Sequence, residues 1–228
     1  TSQARKIKYL AIKAAKRQRP DLVITTVPPW QSAGLALLIS RLADAPLLID
    51  IRDLPDEHDP NRTRFTTRQQ SKYLTKYLKK ANSLVVATSG FALDLKERYG
   101  INKAIHVVTN GYNPNLVKFQ DAVAHDTFRI SYFGILYPQR RFDVLLNAIR
   151  QLTTNNLINS DLELHFFGSG LKEKISPYCD ATLATRIFFH GRVEHHVAIK
   201  RMHEASLLVN FASEGCSGIL PSKIFEHV

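Results

Sequence analysis

Cysteine is scarce: the 228 residues hold two, Cys179 and Cys216, far apart. That count excludes a disulfide-stapled scaffold and matches no zinc or redox spacing, so a reducing compartment is expected. Long apolar runs are missing too. Leu35 to Ile39 is stopped by Arg41 and Asp44, far short of the roughly 20 residues that cross a bilayer. The opening, Thr1 to Lys8, is polar and basic without an apolar stretch behind it, and does not read as a secretion signal. Acidic residues are outnumbered, 20 Asp+Glu against 31 Lys+Arg, for a formal charge of +11. No low-complexity tract or repeated motif occurs.

The charge is unevenly spread. Residues 1–122 carry 20 basic and 10 acidic side chains, whereas residues 123–228 carry 11 and 10. The first half is therefore expected to face something acidic: nucleic acid, an anionic membrane surface or a phosphorylated substrate.

Short β-branched runs alternate with helical patterns along the whole chain. Strands are predicted at Leu22–Val27, Leu47–Ile51, Leu84–Thr88 and Ile105–Val108, with helices near 3–18, 31–43, 64–80 and 90–99. In the second half strands are predicted at Arg129–Phe133, Leu162–Phe167, Ile187–His190 and Leu207–Phe211, with helices near 140–152, 170–178 and 194–204. Such alternation predicts an α/β protein with parallel sheets covered on both faces. Runs such as LVITTV and SLLVNF lack polar alternation, as strands buried on both sides do. The pattern lapses in NPNLVKFQDAVAHD, so we expect one lobe over 1–113, a linker over 114–126 and a second lobe over 127–228. Both lobes read as incomplete: the chain opens inside a basic helix and closes two turns into another.

The segment Gly218 to Val228, GILPSKIFEHV, follows the last strand. Pro221 suits a first helical turn, and free N–H groups there favour an anion such as a diphosphate. Lys223 adds a full charge, and Glu226 is placed to accept from ribose hydroxyls. A helix start with an ordinary Lys–Glu surface pair explains the same residues. In YFGILYPQRRFDVLLNAI, Gly134 ends the lobe's first strand and Arg140 and Arg141 stand at a helix start, on the strand-end edge that Lys223 shares. FFGSG (Phe166 to Gly170) and FFHGRV (Phe188 to Val193) supply two further glycine turns, the first without the third glycine of a dinucleotide fingerprint.

VVTNGYNP, GILYPQR, FFGSG, FFHGRV and PSKIFE, in that order, resemble the donor lobe of the retaining GT-B glycosyltransferases. More closely, the series resembles the family 4-like (group 1) type that includes sucrose synthase and bacterial surface-polysaccharide enzymes. DLVITTVPP and LLIDIRDLPDE resemble later strands of the acceptor lobe. The resemblance implies two Rossmann-like lobes, and transfer of a sugar from a nucleoside diphosphate sugar to a sugar or lipid-linked hydroxyl acceptor with retention. It implies Arg140 and Lys223 at the donor diphosphate and Glu226 at the ribose. Gly134, Gly168, Gly170, Gly191 and Gly218 would form donor-lobe loops, with Asn110 and Gly111 near the interlobe cleft. It implies no cofactor and no essential metal, and a cytoplasmic location in cell-surface polysaccharide or glycolipid synthesis. Catalytic residues are not assigned. The chain has Gly218 where the family often has a glutamate and Ile135 where many members have an arginine, and it lacks the histidine many carry after the first strand.

Other clusters have plainer readings. Glu194, His195, His196, His203 and Glu204 contain no i, i+4 histidine pair for a metal. Asp56, Glu57, His58 and Asp59 form an acidic loop, and a solvated loop accounts for them. Arg64, Arg68, Lys72 and Lys76 form a basic stripe opposite Leu74, Tyr77, Leu78 and Ala81. That stripe is either a solvated face or a contact for anionic headgroups on the inner face of the cell membrane. Two rivals remain. A nucleotide-sugar epimerase would draw on Asp53 and Glu214, which make a thin acid–base set. A nucleic-acid-binding protein fits the charge but lacks interleaved exposed aromatics, so nucleic acid is not an expected partner.

Overall fold

Each β-branched run becomes a parallel strand, because every connection between neighbouring strands passes through a helix that carries the chain back to the starting edge. The computed structural model describes residues 2–54, 64–114, 126–136, 140–158, 161–211 and 224–225. They divide into two units, Thr1–Thr109 and Asn110–Val228. The expected linker at 114–126 lies almost wholly outside the described residues.

The first unit runs α1 (Ser2–Gln18), β1 (Val23–Val27), α2 (Gln31–Ala43), β2 (Leu47–Ile51), α3 (Arg64–Leu78), β3 (Ser83–Val86), α4 (Ser89–Glu97) and β4 (Ile105–Val107). Its sheet has the order β1-β2-β3-β4, in register from Val23 beside Leu47 and Leu84 beside Ile105. Ala33, Ala36, Leu37 and Ser40 are buried on α2 at helical spacing. Gly34 lets α3 come close, since a Cβ there would sit 2.7 Å from the Tyr73 hydroxyl. Leu74 and Leu78 of α3 are fully buried, with Ile49, Ile51, Leu84 and Leu95. Asn82 clamps the start of β2 by accepting from the Leu47 N–H and donating its own N–H to the Leu47 carbonyl.

The second unit runs β5 (Phe128–Phe133), α5 (Phe142–Thr154), β6 (Leu162–Phe167), α6 (Leu171–Ile175), a 3-10 turn at Ser176–Tyr178, α7 (Ala181–Ala184), β7 (Ile187–Gly191), α8 (His195–His203) and β8 (Leu207–Val209). Its sheet order is β7-β6-β5-β8. One face packs Tyr132, Leu164 and Phe166 against Leu146, Ile149, Leu171, Ile175 and Leu183 of α5, α6 and α7. The other packs Phe133 and Phe167 against Ile199 and Met202 of α8.

Two expectations are corrected. The third strand ends at Val86, because Thr88 caps α4 by accepting the Phe91 N–H at 3.2 Å. Neither LVITTV nor SLLVNF is buried on both sides: Ile24 is 61% and Leu207 47% exposed. Both β1 and β8 edge their sheets among the described strands. The short α7 was not predicted; Asp180, which accepts the Leu183 N–H, is its start signal.

Candidate functional site

In the second unit the chain lays β5, β6 and β7 successively outward, then returns so that β8 pairs with the other side of β5, Ile130 beside Leu207. The chain thus reverses its direction of travel at β5/β8. At such a switch point the loops leave the strand ends in opposite directions and open a crevice.

The loop after β5, Gly134–Leu136, forms one lip. Gly134 has a φ of 150°, a region that favours glycine. The Tyr132 hydroxyl donates to the Ile135 carbonyl at 3.0 Å and accepts from Arg140 Nη1 at 3.0 Å. The same guanidinium nitrogen donates to the Ile135 carbonyl at 3.1 Å, and the Lys174 ammonium of α6 donates to the Leu136 carbonyl. Phe211, just after β8, lies 5.0 Å ring to ring from Tyr132. A cation is thereby fixed beside the crevice, on a half-buried loop whose carbonyls are held by side chains. Such pre-organised positive charge is suited to an anion that gains charge during a reaction.

The glycines bring strand ends together. The Gly134 N–H donates to the Phe167 carbonyl at 2.9 Å, and the Gly168 N–H to the Gly191 carbonyl at 2.7 Å. At Gly168, with φ 154°, a Cβ would lie 1.9 Å from the Gly134 carbonyl oxygen. The close approach there is to the chain itself. Gly170 and Gly191 adopt φ values of 67° and 65°, and no described atom lies within 4 Å of a Cβ on either.

Arg141 does not share Arg140's partners. It forms a bidentate pair with Asp143 on the first turn of α5, and that hydrogen bonding holds the Asp143 carboxyl below its usual range. Both residues stand where the chain enters α5, but they meet different acceptors. The Asp143 carboxylate, two residues on, captures its neighbour. Lys223, Glu226, Gly218 and Glu214 lie outside the described residues, as do Asp56, Glu57, His58 and Asp59. Asn110 is half-buried and Gly111 exposed, and the backbone at Gly111 does not enter the left-handed region of a tight turn.

Two polar clusters escaped the sequence reading. In the second unit Arg129 Nε donates to Glu163 at 3.1 Å, Glu163 bonds His165 at 3.0 Å, and His165 Nδ1 meets His190 Nε2 at 2.9 Å. The hydrogen bond from His165 holds the Glu163 carboxyl low against burial, with Arg129 assisting. Burial, then the charges of His165 and Arg201, lower the His190 pKa. Alternation at i, i+2 (Arg129 and Ser131, Glu163 and His165, Phe188 and His190) was the available signal. In the first unit Asp50 accepts from Thr26 at 3.1 Å and from Arg52 Nε at 2.8 Å, while Arg52 Nη1 donates to the Val108 carbonyl at 3.1 Å. Burial raises the pKa of the adjacent Asp53. Among the described residues no group of three or more His, Cys, Asp or Glu is arranged to hold a metal ion.

No protein-family model matches the sequence, and no curated protein matches it significantly. Solved structures do. Sucrose-phosphate synthase from Thermosynechococcus elongatus aligns at 15% identity with a TM-score of 0.63, over 82% of this chain and 49% of its own. HepE of Anabaena in complex with UDP aligns at 17% identity and TM-score 0.62, over 89% and 56%. The lipopolysaccharide outer core galactosyltransferase WaaB aligns at 17% identity and TM-score 0.62, over 90% and 54%. The chain spans about half the length of these structures. At such identities the likeness is one of fold. The chain has the α/β fold of two Rossmann-like lobes found in GT-B glycosyltransferases of the family 4 type.

Proposed function

We propose that this chain carries acceptor-side and donor-binding lobes of a glycosyltransferase, which moves a sugar from a nucleoside diphosphate sugar to a hydroxyl acceptor with retention. The observation that carries the reading is the β5/β8 switch point with Arg140 fixed at its lip by Tyr132 and Ile135. In the transfer the bond from the sugar's anomeric carbon to the diphosphate breaks, and its electron pair stays on a phosphate oxygen. The acceptor oxygen forms the new bond and passes its proton to the departing phosphate oxygen. Arg140 neutralises the oxygen that gains charge, with Lys223 adding a second cation and Glu226 accepting from the ribose. Gly134, Gly168, Gly170, Gly191 and Gly218 shape the loops around the nucleotide, and Asn110 and Gly111 border the cleft. Neutralisation by side chains replaces the divalent ion that diphosphate chemistry otherwise uses.

HepE structures hold UDP and UDP-glucose, which makes UDP the first probe of the base. No described helix is long and apolar enough to cross a membrane. The basic first unit supports a peripheral place on the inner face of the cell membrane, where a sugar or lipid-linked acceptor for cell-surface polysaccharide or glycolipid synthesis would lie.

The test is calorimetry of UDP with the chain and with Arg140→Ala. The variant should bind roughly tenfold to a hundredfold more weakly, the range for losing a charge-assisted hydrogen bond. Equal affinity in a folded variant removes Arg140 from the site. Product analysis with UDP-sugars separates transfer to an acceptor from epimerisation of the donor.

A further inference from the structure

Helix α1 carries six cations, Arg5, Lys6, Lys8, Lys13, Lys16 and Arg17, and no carboxylate; the first acidic residue of the chain is Asp21. All six are exposed, and among the described residues no hydrogen bond or ion pair engages their side chains. One side of the helix packs on α2, burying Ala15 and half-burying Ala11 and Ile12. A second side keeps aliphatic groups in water. At about 3.6 residues per turn, Ile7, Leu10 and Ala14 fall in one stripe, and Ile7 and Leu10 are 53% and 52% exposed. Lys6, Lys13 and Arg17 run along one border of that stripe, with Tyr9, 64% exposed, beyond them. Single apolar side chains scattered over a surface need no account, but an aliphatic stripe edged with unpaired cations does.

We infer that this face of α1 lies on an anionic lipid surface, with Ile7 and Leu10 in the acyl boundary and Lys6, Lys13 and Arg17 among the headgroups. A helix divided in this way rests in the plane of a membrane interface. Long basic stems lie along an aliphatic stripe while their charged ends reach the phosphates, and a tyrosine ring suits the headgroup level. The basic stripe on α3 is different, because the aliphatics Leu74 and Leu78 of that helix are buried. A nucleic-acid backbone would meet the cations of α1 but gain nothing from Ile7 and Leu10, so the lipid is the better chemical match. The inference rests on the peripheral placing proposed above and names the surface that makes it. It is independent of the donor crevice, which belongs to the second unit.

The test is sedimentation of the chain with vesicles of phosphatidylglycerol mixed into phosphatidylcholine, and with phosphatidylcholine alone, at one ionic strength. Three variants at exposed positions are compared. They are Lys6→Gln/Lys13→Gln/Arg17→Gln, Ile7→Ser/Leu10→Ser, and a control of equal charge loss on α3, Arg68→Gln/Lys72→Gln/Lys76→Gln. The parent should prefer the anionic vesicles. Each α1 variant should lose roughly tenfold or more in partitioning, and the control less than about threefold, because charges away from the contact are screened. A second measurement needs no loss of binding. Leu10→Trp adds an indole to the stripe, and bromine-labelled phosphatidylglycerol should quench it while Trp30, 7% exposed, keeps its emission. Equal losses in the two charge variants, parent-like binding by Ile7→Ser/Leu10→Ser, or no quenching in Leu10→Trp overturns the α1 face and leaves the peripheral placing intact. Absence of vesicle binding by the parent removes both. Tighter capture of duplex DNA than of vesicles, kept by Ile7→Ser/Leu10→Ser, gives the face to nucleic acid and also overturns it. Dichroism checks that each variant is folded, and UDP affinity should be the same in all of them.

Discussion

The two units use the same material to different ends. In the first, four strands follow one another across the sheet in chain order, and the described strand ends leave through Pro28–Pro29, through Arg52–Asp53 and through the Thr88 cap. In the second, the order reverses at β5/β8 and the strands leave through Gly134, Gly168 and Gly191, all with positive φ. A crevice follows from reversal, and backbone can approach closely only where side chains are absent. The first unit instead concentrates its charge on helices. The second holds its cation by hydrogen bonds to its own loop. The lesson is that topology opens the β5/β8 crevice, whereas composition sets the basic surface of the first unit.

The largest break in this contrast comes from Gly168→Ala. A Cβ 1.9 Å from a carbonyl oxygen, at φ 154°, should cost several kcal/mol, about 3 or more. The lone Trp30, 7% exposed, sits in the first unit and reports on it alone. Far-ultraviolet dichroism should show a destabilised transition while Trp30 fluorescence keeps the parent midpoint in denaturant. If both move together, the units unfold as one and the contrast is not one of stability.

A pH titration separates the units next. The folded pKa of His190 is depressed, so the unfolded chain binds that proton more tightly. Its contribution is present above the ordinary imidazole value of about 6.5 and is lost as pH falls through it. Geometry points the same way, because two ring nitrogens 2.9 Å apart cannot both carry protons. Glu163, also depressed, adds a second loss as pH falls below its ordinary 4.5 toward its folded value. Urea midpoints taken by dichroism between neutral and acid pH should show both steps in the parent. His190→Gln should lack the first; a parent-like profile there would remove the histidine pair as its source.

Tyr132→Phe tests how the cation is held. It removes the hydroxyl that accepts from Arg140 and donates to Ile135, while the ring stays in the core. We expect UDP affinity to fall by roughly threefold to tenfold, with an unchanged dichroism spectrum. No change in affinity would mean that the Ile135 carbonyl alone positions Arg140. The smallest effect is expected from Arg141→Gln. Its pair with Asp143 is exposed, so UDP affinity should match the parent and melting should shift least of the four. A loss of affinity equal to that of Arg140→Ala would show that the two arginines share the anion.

Much of the fold was legible because buried parallel strands need β-branched runs and their crossovers need helical ones. All eight described strands fall within two residues of their expected ends. Boundaries failed where a side chain competed with the ladder, as Thr88 did in capping α4, or where a helix was too short for a period, as at Ala181–Ala184. Of the candidate site, Arg140, Gly134, Gly168 and Gly191 were legible as residues following or ending strands. The difference between Arg140 and Arg141 was not, since it depends on which acceptor each guanidinium meets.

The sequence by itself determined the strand–helix alternation, the basic bias of the first half and the placing of glycines after strands, because these follow from local sterics and composition. Tertiary structure decided three things that no local pattern contains. It chose the strand order that opens the crevice at β5/β8, and it lined up Arg129, Glu163, His165 and His190 across three strands. It also brought Arg98 and Tyr99 beside Arg68, Ser71, Lys72 and Thr75 of α3. Each depends on residues distant in sequence reaching a few ångströms of one another, and that proximity is fixed only when the sheets pack.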